Sequence, residues 1–270
     1  MADLRLAFAA LDRVSDGLDF QRTAEIHIVA DPDWSDLWLT PRLGRFREKH
    51  PNVRFNVNGE GDVPIRLGAP DMTIDRNPNG RAADGEALYH EIFLPVGSPE
   101  TASRVSNPYL TKAENATPRY LPVGTLSDSE RMWRHSQGGS LEGFPLLHIK
   151  PRHDAPETPC WADWLERYPY ERTSPDRGVS YALEGAKSGA GLLLCGLSCI
   201  LEELERGTLS LPFPTNERLA ARHAYRFRTR SEIRQRPQVK RFLDWLAAEA
   251  AATEAKMDAA VTGAAQSQTG

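Results

Sequence analysis

The sequence predicts an α/β protein with two units, each built on a largely parallel sheet. Short β-type apolar runs alternate with stretches of helical apolar spacing, the pattern of strand–helix–strand units. The pattern occurs once before residue 97 and again after residue 144, and the segment between is rich in Ser, Thr, Asn, Pro and Gly with little periodicity. A chain of 270 residues with 40% apolar content is long enough to bury two cores without metals or disulfides.

Residues 2 to 20 carry Leu4, Ala7, Leu11, Val14 and Leu18 at alternating spacings of three and four, a seam along one helical face. Such a seam serves either as a dimerisation helix or as an ordinary helix folded onto its own domain. A strand follows at Ile26 to Ala30, then the polar turn from Asp31 to Asp36, then a helix through Trp38, Leu39, Leu43 and Phe46. Asp33 is expected to cap this helix, and Pro51 and Asn52 end it before a strand at Val53 to Val57. Further strands are expected at Met72 to Ile74 and at Glu91 to Val96.

The stretch from 99 to 144 reads as a long irregular connection with one short helix near Ser127 to His135. After it come a strand at Phe144 to Ile149 and a helix at Cys160 to Tyr168, whose Trp161, Trp164 and Leu165 share a face and are assigned to the core. A helix from about Ser180 to Lys187, a strand at Gly191 to Cys195 and a helix from about Ser198 to Arg206, closed by Gly207, complete this second unit. A strand at Ala224 to Arg228 and a helix from Pro237 to about Glu249 finish the fold. Residues 251–270, mostly Ala, Thr, Gln, Ser and Gly, lack an apolar face and are expected to form a disordered tail.

Charge and cysteine content narrow the function. The formal net charge of −4 gives no broad basic field for a nucleic-acid backbone. Arg218 to Arg241 is the one cationic concentration, but Arg226 and Arg228 alternate with Tyr225 and Phe227, as on a strand with one solvated face. Three cysteines are too few, and odd in number, for a disulfide framework; with no signal peptide or long apolar run, a cytoplasmic protein is expected.

Reactive chemistry has no positive signal. Cys195 and Cys199 sit in apolar surroundings without the paired spacing of a zinc site, so they are read as buried small hydrophobes and no metal is expected. The sequence contains no Gly-x-Ser-x-Gly elbow, no phosphate loop and no Gly-x-Gly-x-x-Gly after a strand. No catalytic residue and no cofactor is assigned.

The run from Ala30 to Arg47 (ADPDWSDLWLTPRLGRFR) with His50-Pro51-Asn52-Val53 resembles the effector-binding domain of LysR-type transcriptional regulators, in the branch of the glycine-cleavage activator. Supporting pieces recur in the family's order: Asp71 to Ile74, Phe93 to Val96 with Ser98-Pro99, Pro145 to His148, Trp161 to Leu165, Gly189 to Leu192, Leu204 to Leu209, and Phe242 to Leu246. The resemblance covers roughly residues 2 to 249. It implies two Rossmann-like lobes joined by two crossovers, like type 2 periplasmic binding proteins, preceded by a linker helix over residues 1–22. Lobe I would combine residues 23–97 with 210–250, and lobe II would be 98–209, with crossovers near Gly97 and Leu209.

The resemblance further implies a small effector held between the lobes, a homo-oligomer, and control of DNA binding in a complete regulator. The winged helix-turn-helix that opens family members is not seen in this sequence, so DNA would be reached only through such a domain. A stand-alone solute-binding or interaction protein of the same fold, pairing with full-length relatives, is the alternative. The family's cleft positions carry over to Asp31, Asp33, Trp34, Asn58 and Asp75 in lobe I, and to His148, Arg177 and Ser180 in lobe II. Family members commonly have Ser or Thr at the first two of these and Arg at the position of Asp75. An unusually acidic cleft favouring an amine-bearing ligand is therefore expected. The alternative is that Asp33 merely caps its helix and Asp75 pairs with Arg76 or Arg81.

Overall fold

In the computed structural model, the described residues are 24–59, 69–76, 85–106, 141, 144–148, 158–168, 177–178 and 182–267. The expected linker helix, with Leu4, Ala7, Leu11, Val14 and Leu18, and the short helix near 127–135 lie outside them. The chain divides into two compact units, one holding the residues up to Tyr89 with Ala224–Ala252, the other His90–His223 with the residues from Thr253 onward.

The first unit is a five-stranded sheet in the order β2-β1-β3-β10-β4. Its strands are β1 (Ala24–Ala30), β2 (Val53–Gly59), β3 (Met72–Asp75), β4 (Glu86–Tyr89) and β10 (Tyr225–Thr229). Strands β2, β1 and β3 run parallel, whereas β10 is antiparallel to both β3 and β4, so the sheet is mixed. Alternation sorts the side chains of β1: Ile26 and Ile28 lie on one face, His27 and Val29 on the other. On the apolar face Phe55, paired with Ile26, packs against Phe46 and Phe242, with Trp245 also in ring contact with Phe46.

Phe46 belongs to helix α1, which joins Pro32–Trp34, a π-helical turn at Ser35–Leu39 and Thr40–Lys49. Its cap is Asp31, not the expected Asp33. The Asp31 carboxylate accepts from Trp34 N at 3.0 Å, and Pro32, which lacks an N–H, fills the first helical position. Buried Arg42 donates to the Trp38 carbonyl, lies over the Trp38 ring and sits 3.8 Å from Glu249, which also pairs with Arg45. These contacts join α1 to the last helix through a shared carboxylate.

His50 ends α1, its ring 4.5 Å from that of Phe46. Burial, reinforced by the charges of Arg241 and Lys49, holds its imidazole below the ordinary value. The unfolded chain therefore takes up this proton first as pH falls. His50 thus favours the fold above the ordinary imidazole pKa, and that contribution is lost as pH falls through it towards the lowered folded value. His50→Gln is expected to flatten the dependence of melting temperature on pH between roughly 7.5 and 5.5, as thermal melts across that range would measure.

The second unit is a five-stranded sheet in the order β7-β6-β8-β5-β9. Its strands are β5 (Ile92–Val96), β6 (Leu146–His148), β7 (Arg177–Gly178), β8 (Leu192–Gly196) and β9 (Leu219–Ala220). Helices α2 (Pro99–Ser106), α3 (Trp161–Arg167), α4 (Ala182–Lys187) and α5 (Leu201–Glu205) belong with them. Trp161 and Trp164 form the core as expected, and each indole N–H is satisfied, by the Leu147 carbonyl at 3.0 Å and the Glu217 carbonyl at 3.1 Å. Gly191 is required by close approach, since a Cβ there would lie 2.2 Å from the Pro145 carbonyl oxygen. Gly207 closes the turn after α5 with φ +70°, as its place in the sequence predicts.

Two expectations are corrected. The crossovers were expected near Gly97 and Leu209, but β5 is buried and pairs with β8 and β9, while Gly97 and Ser210 bridge each other inside the second unit. The unit boundaries fall at Tyr89/His90 and His223/Ala224, so residues 90–97 and 210–223 belong with the second sheet and not with lobe I. Over its described part, to Ser267, the tail is helical and not disordered. After α6 (Ser231–Arg234), helix α7 runs unbroken over Pro237–Ser267, because an alanine-rich stretch has the highest helix propensity and needs only a narrow apolar seam to hold it.

Candidate functional site at the carboxyl edge of the first sheet

Parallel pairing brings the carboxyl ends of three strands level: Ala30 of β1 lies opposite Gly59 of β2 and opposite Ile74 of β3. Strand β1 has β2 on one side and β3 on the other, so the chain reverses its direction of travel across the sheet at β1. Open α/β sheets take ligands outside the carboxyl ends of strands at such a point. The polar residues expected to bind ligand, Asp31, Asn58 and Asp75, stand at or beside these three strand ends, and Asp33 is exposed in the first turn of α1. The Asp31 N–H reaches the Ile74 carbonyl at 3.3 Å, which ties the turn after β1 to the end of β3.

Neighbouring side chains give this edge its electrostatics. Arg228 spans two partners, its Nη2 donating to Asp75 Oδ2 at 2.5 Å and its Nε to Thr73 Oγ1 at 3.2 Å. Asp75 is thus paired with Arg228 from β10. Antiparallel pairing of β10 with β3 places this guanidinium beside the carboxylate, which offsets part of the acidity expected of the site. Asn58 Nδ2 lies 3.0 Å from both Asn56 Oδ1 and His27 Nε2, and His27 is only 7% exposed. At the other, amino end of β3, Asp71 Oδ2 accepts from the His27 backbone N–H at 3.0 Å and its Oδ1 lies 3.4 Å from Arg230 Nη2.

Trp34 does not join this group. Its indole is 0% exposed, stacks on Trp38 at 4.7 Å and donates from Nε1 to the Tyr89 hydroxyl at 2.7 Å. Capping by Asp31 fixes the first turn so that Trp34 faces the sheet and not solvent, which corrects its assignment as a ligand contact. In the second unit, His148 ends β6 beside Gly178, and Arg177 of β7 lies opposite Leu147 in the backbone register. Ser180 lies outside the described residues.

The polar edge can hydrogen-bond and charge-match a small molecule. Ser198, whose hydroxyl donates to Glu91 at 2.5 Å, forms a hydroxyl–carboxylate pair in which both residues are 1% exposed. Among the described residues no group of His, Cys, Asp and Glu is placed to hold a metal, and no helix is long and apolar enough to cross a membrane. The arginines around β10 are matched by acids or carbonyls: Arg226 by the Gly85 carbonyl, Arg228 by Asp75, Arg230 by Asp71 and Arg234 by Glu86. These pairings balance the charge of the four arginines.

Sequence reasoning missed Arg228 and Thr73, and missed His27 and Asn56 as partners of Asn58. Only His27, a polar residue set between Ile26 and Ile28 on a strand, offered a local signal.

No protein-family model matches the chain. The HTH-type transcriptional activator AmpR of Rhodobacter capsulatus is 26% identical over 214 residues, which are 78% of this chain and 63% of that protein. The chain thus spans under two thirds of the curated relative it matches. Among solved structures, the effector domain of AmpR from Pseudomonas aeruginosa aligns with a TM-score of 0.53 at 19% identity, covering 86% of this chain and 97% of that one. The regulatory domain of CrgA, a LysR-type transcriptional regulator from Neisseria meningitidis, aligns with a TM-score of 0.54 at 17% identity, covering 84% and 98%. The chain has the fold of the effector and regulatory domains of these transcriptional regulators.

Proposed function

We propose that this chain is the ligand-sensing, effector-binding part of a LysR-type transcriptional regulator, non-enzymatic and cytoplasmic, and that small-molecule binding controls the DNA binding of the complete, oligomeric regulator. The observation that carries this reading is the convergence of Asp31, Asn58 and Asp75 on one sheet edge at a strand-order reversal. Asp31, Asp33, Asn58 and Asp75 are the proposed contacts in the first unit, and His148 and Arg177 are a second candidate set in the other unit.

The ligand class follows from charge. Asp31 and Asp33 stand at the edge, while Asp75 is matched by Arg228. An amine-bearing molecule is favoured, its cation answered by Asp31 and Asp33. The test is thermal shift against amino acids, polyamines and aromatic acids. At a hundredfold excess over Kd, a binding compound is expected to add about 2.7 kcal/mol of stability, and Asn58→Ala or Asp75→Asn is expected to abolish the shift. Melting unchanged by every amine-bearing compound, or variants that respond like the parent, would reject the reading.

A further inference from the structure

Helix α7 begins in one unit and ends in the other. Its first turns bury Val239, Phe242, Leu246 and Ala250, all within the stretch that belongs to the first unit. From Thr253 the same unbroken helix belongs to the second unit. There it is seated at several points. Thr253 and Met257, four residues apart on one helical face, are 2% and 1% exposed. The Thr215 hydroxyl donates to the Val261 carbonyl at 2.8 Å, and Lys256 Nζ meets Glu205 Oε1 at 2.7 Å. Between the two seats, Ala251 and Ala252 are exposed.

Helix propensity alone accounts for a helical tail, but not for a buried methionine and threonine on one face or for a hydroxyl aimed at one carbonyl. A free alanine-rich helix would leave all of these in water. We infer that residues 253–262 are a strap, a helical third covalent link besides the two extended crossovers, which docks on the second unit and is held in helical form by its root in the first. Rooting lowers the entropy cost of docking, because the segment arrives already helical. Loosening the helix at 251–252 therefore weakens the seat even though neither alanine is buried.

This inference does not rest on the sensing reading, and hydrogen exchange on the full chain tests it without any ligand. Met257→Ala and, separately, Thr215→Val are expected to speed amide exchange in 201–217 and 253–262 several-fold while leaving 24–30 and 53–58 unchanged. The double variant Ala251→Gly, Ala252→Gly is expected to reproduce that effect. Exchange in 201–217 equal to the parent in Met257→Ala and Thr215→Val overturns the docked strap. Normal exchange there in the double glycine variant overturns its rooting in the first unit.

Discussion

Replacing Trp34 with alanine is expected to lower the stability of the protein by about 3–5 kcal/mol, the usual cost of emptying a large aromatic site in a packed core. The indole is fully buried and stacked on Trp38, and ring contacts continue to Tyr225 and, through Trp38, to Tyr89. Trp34→Phe separates packing from hydrogen bonding, because it keeps an aromatic ring but removes the Nε1–H that donates to the Tyr89 hydroxyl. That variant is expected to lose about 1–3 kcal/mol in chemical denaturation and to leave ligand affinity unchanged. An affinity loss without a stability loss would return Trp34 to the ligand site.

The second large effect lies at Ser198. One carboxylate, Glu91, accepts from the Ser198 hydroxyl at 2.5 Å, from Ser198 N at 3.0 Å and from Ile92 N at 3.1 Å, while its own carbonyl accepts from Ala221 N at 2.8 Å. The segments entering the second unit, at Glu91 and near Ala221, are thereby fastened to the 3₁₀ turn Leu197–Cys199. Gly196 makes room for this, since a Cβ there would fall 2.8 Å from the Glu91 carboxyl carbon. Ser198→Ala removes one charge-assisted bond inside a sealed site and is expected to cost about 1.5–3 kcal/mol. Glu91→Ala removes the acceptor shared by three donors and is expected to cost more. Urea titrations of both variants measure the difference, and a Glu91→Ala chain as stable as the parent would contradict this account of the latch.

Much of the fold is legible in the sequence because the strands announce themselves through apolar runs. Strands β1, β2, β3, β5, β6, β8 and β10 all fall where such runs occur. The edge strand β4 is not legible, since only Tyr89 of its four residues is buried and the alternation has too little to work with. Helix α2 is hidden by its Ser and Thr content, with Ala102 and Val105 alone marking an apolar side. The continuation of α7 is missed because Thr253 and Met257 are too sparse to register as a stripe.

At the site, Asp31, Asn58 and Asp75 are legible because each polar residue follows or ends an apolar strand. The partners that set their charge are not. Arg228 meets Asp75 across 153 positions of sequence, through an antiparallel register that no local pattern encodes. Trp34 shows the converse, an aromatic residue that looks exposed within a polar turn until capping by Asp31 turns it inward.

The central claim is that a small molecule is held where β1, β2 and β3 end. Hydrogen exchange measured with and without an amine-bearing compound that raises the melting temperature tests it most directly. The account predicts added protection confined, within the first unit, to residues 28–36, 56–59 and 72–76. Protection that leaves these three strand ends untouched would contradict it.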